Sequence, residues 1–427
     1  MKLSGQHLSL EDVSKIAAKV GTQSLSLDSK AKECMQKSYD YLQMKIKKGA
    51  IIYGVNTGFG AFSKVKISQD KIKKLQVNLI RSHAVGIGEP LNAEQVRAVL
   101  LLRANTLARG TSGVRPEVVL KIIDFLRADI LPVIPVQGSV GASGDLAPLA
   151  HVALALIGEG ECFLEGQRMP TEKALKLKKI KPLELREKEG LSLINGCQVM
   201  TAIGLLALAQ ARQLILLSDF AAAMSIEALR GSRSPFHELV SQNRPHKGEI
   251  ESARNVRLFL GKTSPIAESH ADCDRVQDAY SLRCVPAVHG AAFAAIERAI
   301  ETLLIEANAS TDNPLVFPDA DVVLSCGNFH GQPVAAVLDY AALALTSLMS
   351  ICERRIEKFM NPEFSQLPAF LAPDGGLNSG LMIVHVAAAS LVSESKVLSH
   401  PASIDSIPTS ADKEDHVSMG TIAARKL

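Results

Sequence analysis

The stretch from about Gln198 to Leu229 is so rich in Leu and Ala that it reads as one long helix. A helix that is apolar around most of its circumference must be covered by other helices or by lipid. Arg212 interrupts this run and Asp339 interrupts a second apolar run, which assigns both to buried bundle helices rather than membrane spans. Aromatic residues make up only 4% of the 427 residues and tryptophan is absent, so Leu, Ala, Ile and Val fill the interior, as close-packed helices allow. The expected fold is mainly α: a long helical bundle with an N-terminal region that carries loops and little β structure. A soft boundary near residue 200 divides that region, residues 1–200, from the bundle, residues 201–427.

Charge and cysteine usage narrow the partners. The formal net charge of +3 is spread along the chain, and the densest basic run, Lys176, Lys178, Lys179 and Lys181, is followed at once by Glu184, Glu187 and Glu189. That pattern is a solvated face, not a nucleic-acid surface. Seven cysteines with no C-x-x-C pair point to a reducing compartment, and the eleven histidines show no H-x-x-x-H or H-E-x-x-H spacing, so no metal is expected. The segment Met1–His7 lacks the apolar core of a signal peptide. A cytoplasmic protein with neither membrane nor nucleic acid as partner is expected.

Local signals place the loops. Ser9 and Asp12 cap a first helix, whose Val13, Ile16, Ala17 and Val20 keep helical spacing, and a second ends near Lys48-Gly49. Tyr53-Gly-Val-Asn-Thr-Gly-Phe-Gly60 has three glycines in eight residues and reads as a mobile loop. Ile72, Leu75 and Leu79 form a stripe that sets His83 on the same inward face, where a core histidine bonded to backbone is the plain reading. Asn92 and Gln95 cap a helix that stops at Gly110, Pro116 opens the next, and Leu131–Pro135 is extended. Residues 161–190 read as a small hairpin turning at Glu165-Gly166, and Gly190–Gly196 as a tight turn before the long helix.

The central loop is Gly138-Ser-Val-Gly-Ala-Ser-Gly-Asp145, small residues opening an apolar helix. Such a loop is ordinarily a connection or an anion site built from free backbone N–H groups. It is no Walker loop, because Asp145 follows Gly144 where Lys is needed, and no nucleophile elbow, because Asp145 occupies the place of the last glycine. Ala142, Ser143 and Gly144 permit a further chemistry. Attack of the Gly144 nitrogen on the Ala142 carbonyl carbon closes a five-membered ring, and Gly144 tolerates the strained dihedrals this requires. Loss of water from the ring, and of the Ser143 hydroxyl with its α-hydrogen, leaves methylidene-imidazolone (MIO), an electrophile that no unmodified side chain supplies.

The longer string from Gly138 through Asp145-Leu-Ala-Pro-Leu-Ala-His151 resembles the signature of the aromatic amino acid ammonia-lyases, and further matches extend over nearly the whole chain. The resemblance implies an MIO made from Ala142, Ser143 and Gly144, with no metal or nucleotide, and a homotetramer whose active sites combine residues from three chains. It makes Tyr53-Gly-Val-Asn-Thr-Gly-Phe-Gly60 a lid and Tyr53 and Tyr280 proton-transfer groups. Tyr280-Ser-Leu-Arg283-Cys matches a family segment in which Arg283 holds the substrate carboxylate, with Gln277 in the polar wall and Asn195 donating to the MIO carbonyl. Outside the resemblance, Arg283 reads as a surface ion pair, Asn195 as a turn residue and the two tyrosines as half-buried side chains.

Ser82-His83 and Glu414 match the histidine branch, where phenylalanine- and tyrosine-specific members usually carry Phe-Leu or His-Leu and glutamine. A carboxylate and a histidine suit an imidazole, so the implied reaction is elimination of ammonia from L-histidine to give urocanate. A tyrosine or phenylalanine ammonia-lyase or aminomutase, and an inactive truncated scaffold, are the alternatives. Phe329 would sit against the site and Met382 would line its wall, although both also read as core packing. Gly331-Gln332, Ala279 and His289 depart from the branch, which has Ala-Glu, proline and methionine or a similar apolar residue at these places. Family members also continue beyond Ala424-Arg-Lys-Leu427, which implies that C-terminal helices are missing here.

Overall fold

Capping and burial explain how the first helices form. In the computed structural model, which describes residues 1–427 apart from Phe59, Ser63, Lys64, Asp274 and the side chain of Ala61, Ser9 and Asp12 form a full capping box. Asn92 and Gln95 form another, at the head of the helix Ala93–Ala108. That helix is buried on every side from Ala98 to Ala108 and packs against Leu10–Ala17 and Pro116–Ala128. Pro116 stands at its first turn, where a missing N–H costs nothing. The protein is 59% helical and 8% strand, as the Leu- and Ala-rich composition leads one to expect.

Two compact units emerge, neither a continuous stretch of chain. The first comprises Met1–Leu206, Ile300–Leu338 and Pro401–Arg425; the second comprises Ala207–Ala299, Asp339–His400 and Lys426–Leu427. The first unit carries the small sheets. Glu161–Leu164 and Gln167–Pro170 pair antiparallel around the Glu165-Gly166 turn, with Leu131–Pro132 as a third strand on the other side of Glu161–Leu164. Ile87–Pro90 pairs antiparallel with Pro135–Gln137, which leads directly into the central loop. Three helices, Ile72–His83, Leu146–Leu156 and Glu189–Ile194, pack on one another and bring their ends to that loop.

In the second unit Ala222, Ala223, Ile226, Leu229, Phe236, Val256, Leu282 and Val285 form a buried cluster. Other apolar side chains of this unit are exposed, among them Leu217, Met224, Ile383, Leu391 and Val397. The helices Gln198–Ala228 and Gln332–Met360 are long and apolar enough to cross a membrane, yet 56% and 44% of their most apolar windows are buried in protein.

Candidate active site

The central loop is held from both sides by backbone. Gly144 and Gly196 form a parallel bridge in which Asp145 N donates to Gly196 O at 2.7 Å and Gly196 N to Ser143 O at 3.3 Å. Gly144 has φ +77°, and a Cβ there would overlap the Gly196 carbonyl, so both the conformation and the space demand glycine. On the other side Met419 N donates to Val140 O at 2.9 Å, and Ala142 packs with Val417 and Met419.

Asp145 ties these supports together. Its Oδ2 accepts from Val199 N and Met200 N at 2.8 and 2.9 Å, capping the helix Gln198–Ala228, and its Oδ1 accepts from Thr421 Oγ1 at 2.5 Å. Complete burial raises its carboxyl to about 6, against the pull of these donors and the Arg103 charge. Arg103, also fully buried, donates from Nη1 to Asn195 O at 2.7 Å and to Gln198 Oε1 at 2.5 Å, which fixes the turn that presents Asn195. Desolvation lowers the Arg103 guanidinium to about 10, with Asp312 opposing the shift. A buried ion pair, Lys188 Nζ to Asp312 Oδ2 at 2.8 Å, holds the start of the helix Glu189–Ile194 behind the same turn.

A cavity of about 830 Å³ opens over this loop, and Tyr53, His83, Ser143, Asn195 and Glu414 all line it. Ser143 Oγ donates to Glu414 Oε1 at 3.3 Å. The other carboxylate oxygen, Oε2, accepts from Thr409 Oγ1 and Ser410 Oγ at 2.8 and 2.5 Å, which aims Oε1 at Ser143. His83 Nδ1 lies 2.8 Å from Leu79 O. A carbonyl can only accept, so Nδ1 bears the proton of the neutral ring and Nε2 is left with the lone pair. His83 is thus backbone-bonded, as a core histidine would be, while also facing the cavity. Asn195 Oδ1 is buried with no hydrogen-bond partner among the described residues. Tyr53 OH accepts from Gly60 N at 3.3 Å, and Leu75, Leu79, Leu191 and Ile194 supply the apolar floor. Phe59, in the same glycine-rich string as Tyr53, lies outside the described residues.

The remaining expected site residues lie elsewhere. Phe329 belongs to the first unit but does not line the cavity among the described residues; its backbone carbonyl accepts from Cys197 Sγ at 3.0 Å. Gln277, Tyr280, Arg283 and Met382 belong to the second unit. There the Arg283 guanidinium stacks 4.6 Å from the centroid of the Tyr280 ring, and its Nε donates to Asp278 O at 3.0 Å. Tyr280 itself is 70% exposed, and Met382 begins the helix Met382–Leu398. Sequence reasoning missed Arg103 and the bracing role of Asp145. A lone charge inside Leu100-Leu-Leu-Arg-Ala was a legible signal for the first, since a buried Arg is rare unless it holds something.

Comparison with known proteins agrees over the whole chain. Residues 8–427 match the profile of the aromatic amino acid lyase family. The chain is 50% identical to the histidine ammonia-lyase of Caldanaerobacter subterraneus, over 99% of its own length and 83% of that protein's. The histidine ammonia-lyase of Trypanosoma cruzi superposes with a TM-score of 0.91 at 42% identity, covering 100% of this chain and 80% of that one. The tyrosine aminomutase of Streptomyces globisporus superposes with a TM-score of 0.93 at 36% identity, covering 100% of this chain and 84% of that one. The chain belongs to the aromatic amino acid lyase family.

Proposed function

We propose that this chain eliminates ammonia from L-histidine to give urocanate, using an MIO formed from Ala142, Ser143 and Gly144. The observation that carries the reading is the meeting of Ser143, His83 and Glu414 in one cavity, with Ser143 Oγ 3.3 Å from Glu414 Oε1. The residues fit the group. Ser143 borders the cavity, Gly144 sits where no side chain could, and Asn195, whose amide N–H would donate to the MIO carbonyl, lines the same cavity. When formed, MIO supplies an electrophilic methylidene that captures the substrate and assists departure of ammonia.

The chain's own groups do the rest. Glu414 Oε1 and His83 Nε2 are acceptors suited to the N–H groups of an imidazole, and a phenyl or phenol ring would leave them unpaired. Tyr53 OH offers a phenol for proton transfer over the same cavity. Arg103 holds the Asn195 backbone carbonyl, so the turn that carries this amide is fixed before the reaction begins. Arg283 presents a planar guanidinium for bidentate hold of the substrate carboxylate.

We infer further that the protein is a cytoplasmic homotetramer in which Gln277, Tyr280, Arg283, Phe329 and Met382 complete sites with other subunits. The exposure of Tyr280 and of Leu217, Met224, Ile383, Leu391 and Val397 supports this assembly. Absorbance scans after separate addition of histidine, tyrosine and phenylalanine test the proposal. Urocanate from histidine alone is expected; product from tyrosine or phenylalanine in preference, or none from any, overturns it.

A further inference from the structure

His289 occupies a place where the resemblance leads one to expect methionine or a similar apolar residue, and its surroundings are polar rather than apolar. It lies on the helix Val285–Ala307 and is completely buried. Glycines let a neighbouring helix come close: a Cβ on Gly248 or Gly290 would overlap the backbone of the other strand of this crossing. From that neighbour, Lys247–Leu260, Ser252 Oγ donates to Asp219 Oδ1 at 2.6 Å and Asn255 Nδ2 to Asp219 Oδ2 at 3.0 Å. His289 Nδ1 is 2.8 Å from the same Asp219 Oδ1, and Arg355 Nη1 is 3.2 Å from His289 Nε2. Arg355 Nη1 is also 3.3 Å from the carbonyl oxygen of Ser281, and Nη2 donates to Cys352 Sγ at 3.0 Å.

Counting hydrogens fixes the protonation. A carboxylate only accepts and a guanidinium only donates, so neutral His289 gives its Nδ1 proton to Asp219 and accepts at Nε2. Arg355 Nη1 has two hydrogens, and His289 Nε2 and Ser281 O use both. Ser281 lies inside the four-residue turn Tyr280–Arg283, whose first and last side chains are the proposed proton-transfer phenol and carboxylate clamp.

We propose that the His289–Arg355 pair is a positioning device that holds the Tyr280–Arg283 turn in its productive setting, and that protonation of His289 releases it. An imidazolium would turn an Nε2–H toward an Nη1–H, so Arg355 must rotate and the Ser281 carbonyl loses its donor. Among the described residues, the titratable and charged groups facing His289 are Asp219 from Gln198–Ala228 and Arg355 with Cys352 from Gln332–Met360, and Lys247–Leu260 contributes the uncharged Ser252 and Asn255. Burial and the Arg355 charge push the His289 imidazole below its usual range, so the released state belongs to acidic pH. Asp219, tied by three donors, keeps the ring from turning.

The catalytic consequence rests on the roles proposed above for Tyr280 and Arg283, whereas the positioning itself does not. The test therefore joins two readouts on the full chain: hydrogen exchange of the segment 279–285, and the pH profile of kcat and KM for L-histidine. His289→Met should speed exchange in that segment, leave the helix Leu10–Ala17 unchanged, and lower kcat by about 10- to 100-fold. His289→Gln, whose amide can still accept from Arg355, should keep wild-type exchange and most of kcat while removing the acid limb governed by the imidazole. Wild-type exchange at residues 279–285 in His289→Met, or an unchanged acid limb in His289→Gln, overturns the proposal. Faster exchange in His289→Met, with a wild-type protein that makes no urocanate, would uphold the positioning and instead defeat the assigned reaction. If His289→Met does not fold, wild-type exchange compared at neutral and acidic pH decides alone: a segment equally protected at both overturns the inference.

Discussion

Gly144 and Gly196 pair backbone to backbone with no room for a side chain between them, although they lie 52 positions apart in the chain. This contact holds the residue whose nitrogen would close the proposed ring. Gly144→Ala should therefore lose stability through its left-handed backbone by about 1–2 kcal/mol, with the overlap adding to it. Intact-mass measurement should find the encoded mass, without loss of two waters. A normal melting point together with a dehydrated mass would show that the contact does not matter.

Ser143→Ala tests the electrophile directly. The variant should fold, bind no electrophile chemistry at residue 143 and turn over no histidine, whereas the wild-type chain should weigh two waters less than its encoded sequence. Active wild-type protein of unmodified mass would remove MIO from the mechanism.

His83 and Glu414 should decide the substrate. Losing one hydrogen bond to the imidazole costs on the order of 2–4 kcal/mol in the transition state, or roughly 30- to 1000-fold in rate. Glu414→Gln and His83→Leu should fall by that factor on histidine while retaining the dehydrated mass. Full histidine activity in both variants would reassign the cavity.

Asp145 should write a pH dependence into stability. Its folded value of about 6 lies above the ordinary 3.8, so the folded protein binds this proton more tightly than the unfolded chain. Its contribution is greatest below about pH 4 and declines by about 3 kcal/mol as pH rises through 6. Thermal unfolding of wild type and Asp145→Asn between pH 4 and 8 should show this slope only in wild type. Parallel curves would mean the carboxylate is already charged throughout.

The proposed sharing of sites between subunits makes a separate demand. Ser143→Ala and Tyr280→Phe should each be inactive alone, yet regain measurable turnover when refolded together, because a hybrid assembly contains sites with both residues intact. No recovery in a confirmed mixed oligomer would place both groups on one chain.

Much of this was legible in the residues because its causes are local. The Ser9 and Asn92 caps, the Glu165-Gly166 turn and the Gln198–Ala228 helix each depend on neighbours a few positions away. Ser143 and Glu414 could be named from their strings, but their meeting across 271 residues is a property of the fold. Arg103 and Asp145 act on partners 92 and 276 residues distant, and nothing near them in the chain names those partners. His289 showed itself only as an odd residue; the carboxylate and guanidinium that explain it come from two other helices.

The bracing of residues 139–141 by residues 418–421 has a bearing on when this protein becomes reactive. The ribosome delivers the loop early and its brace almost three hundred residues later. A nascent chain therefore carries an unbraced Ala-Ser-Gly, and the loop's second support arrives only once synthesis has passed Thr421 and that segment has docked. If the proposed MIO depends on this brace, its formation waits for docking of residues 418–421, and no exposed electrophile meets the crowded thiols and amines around a half-made polypeptide.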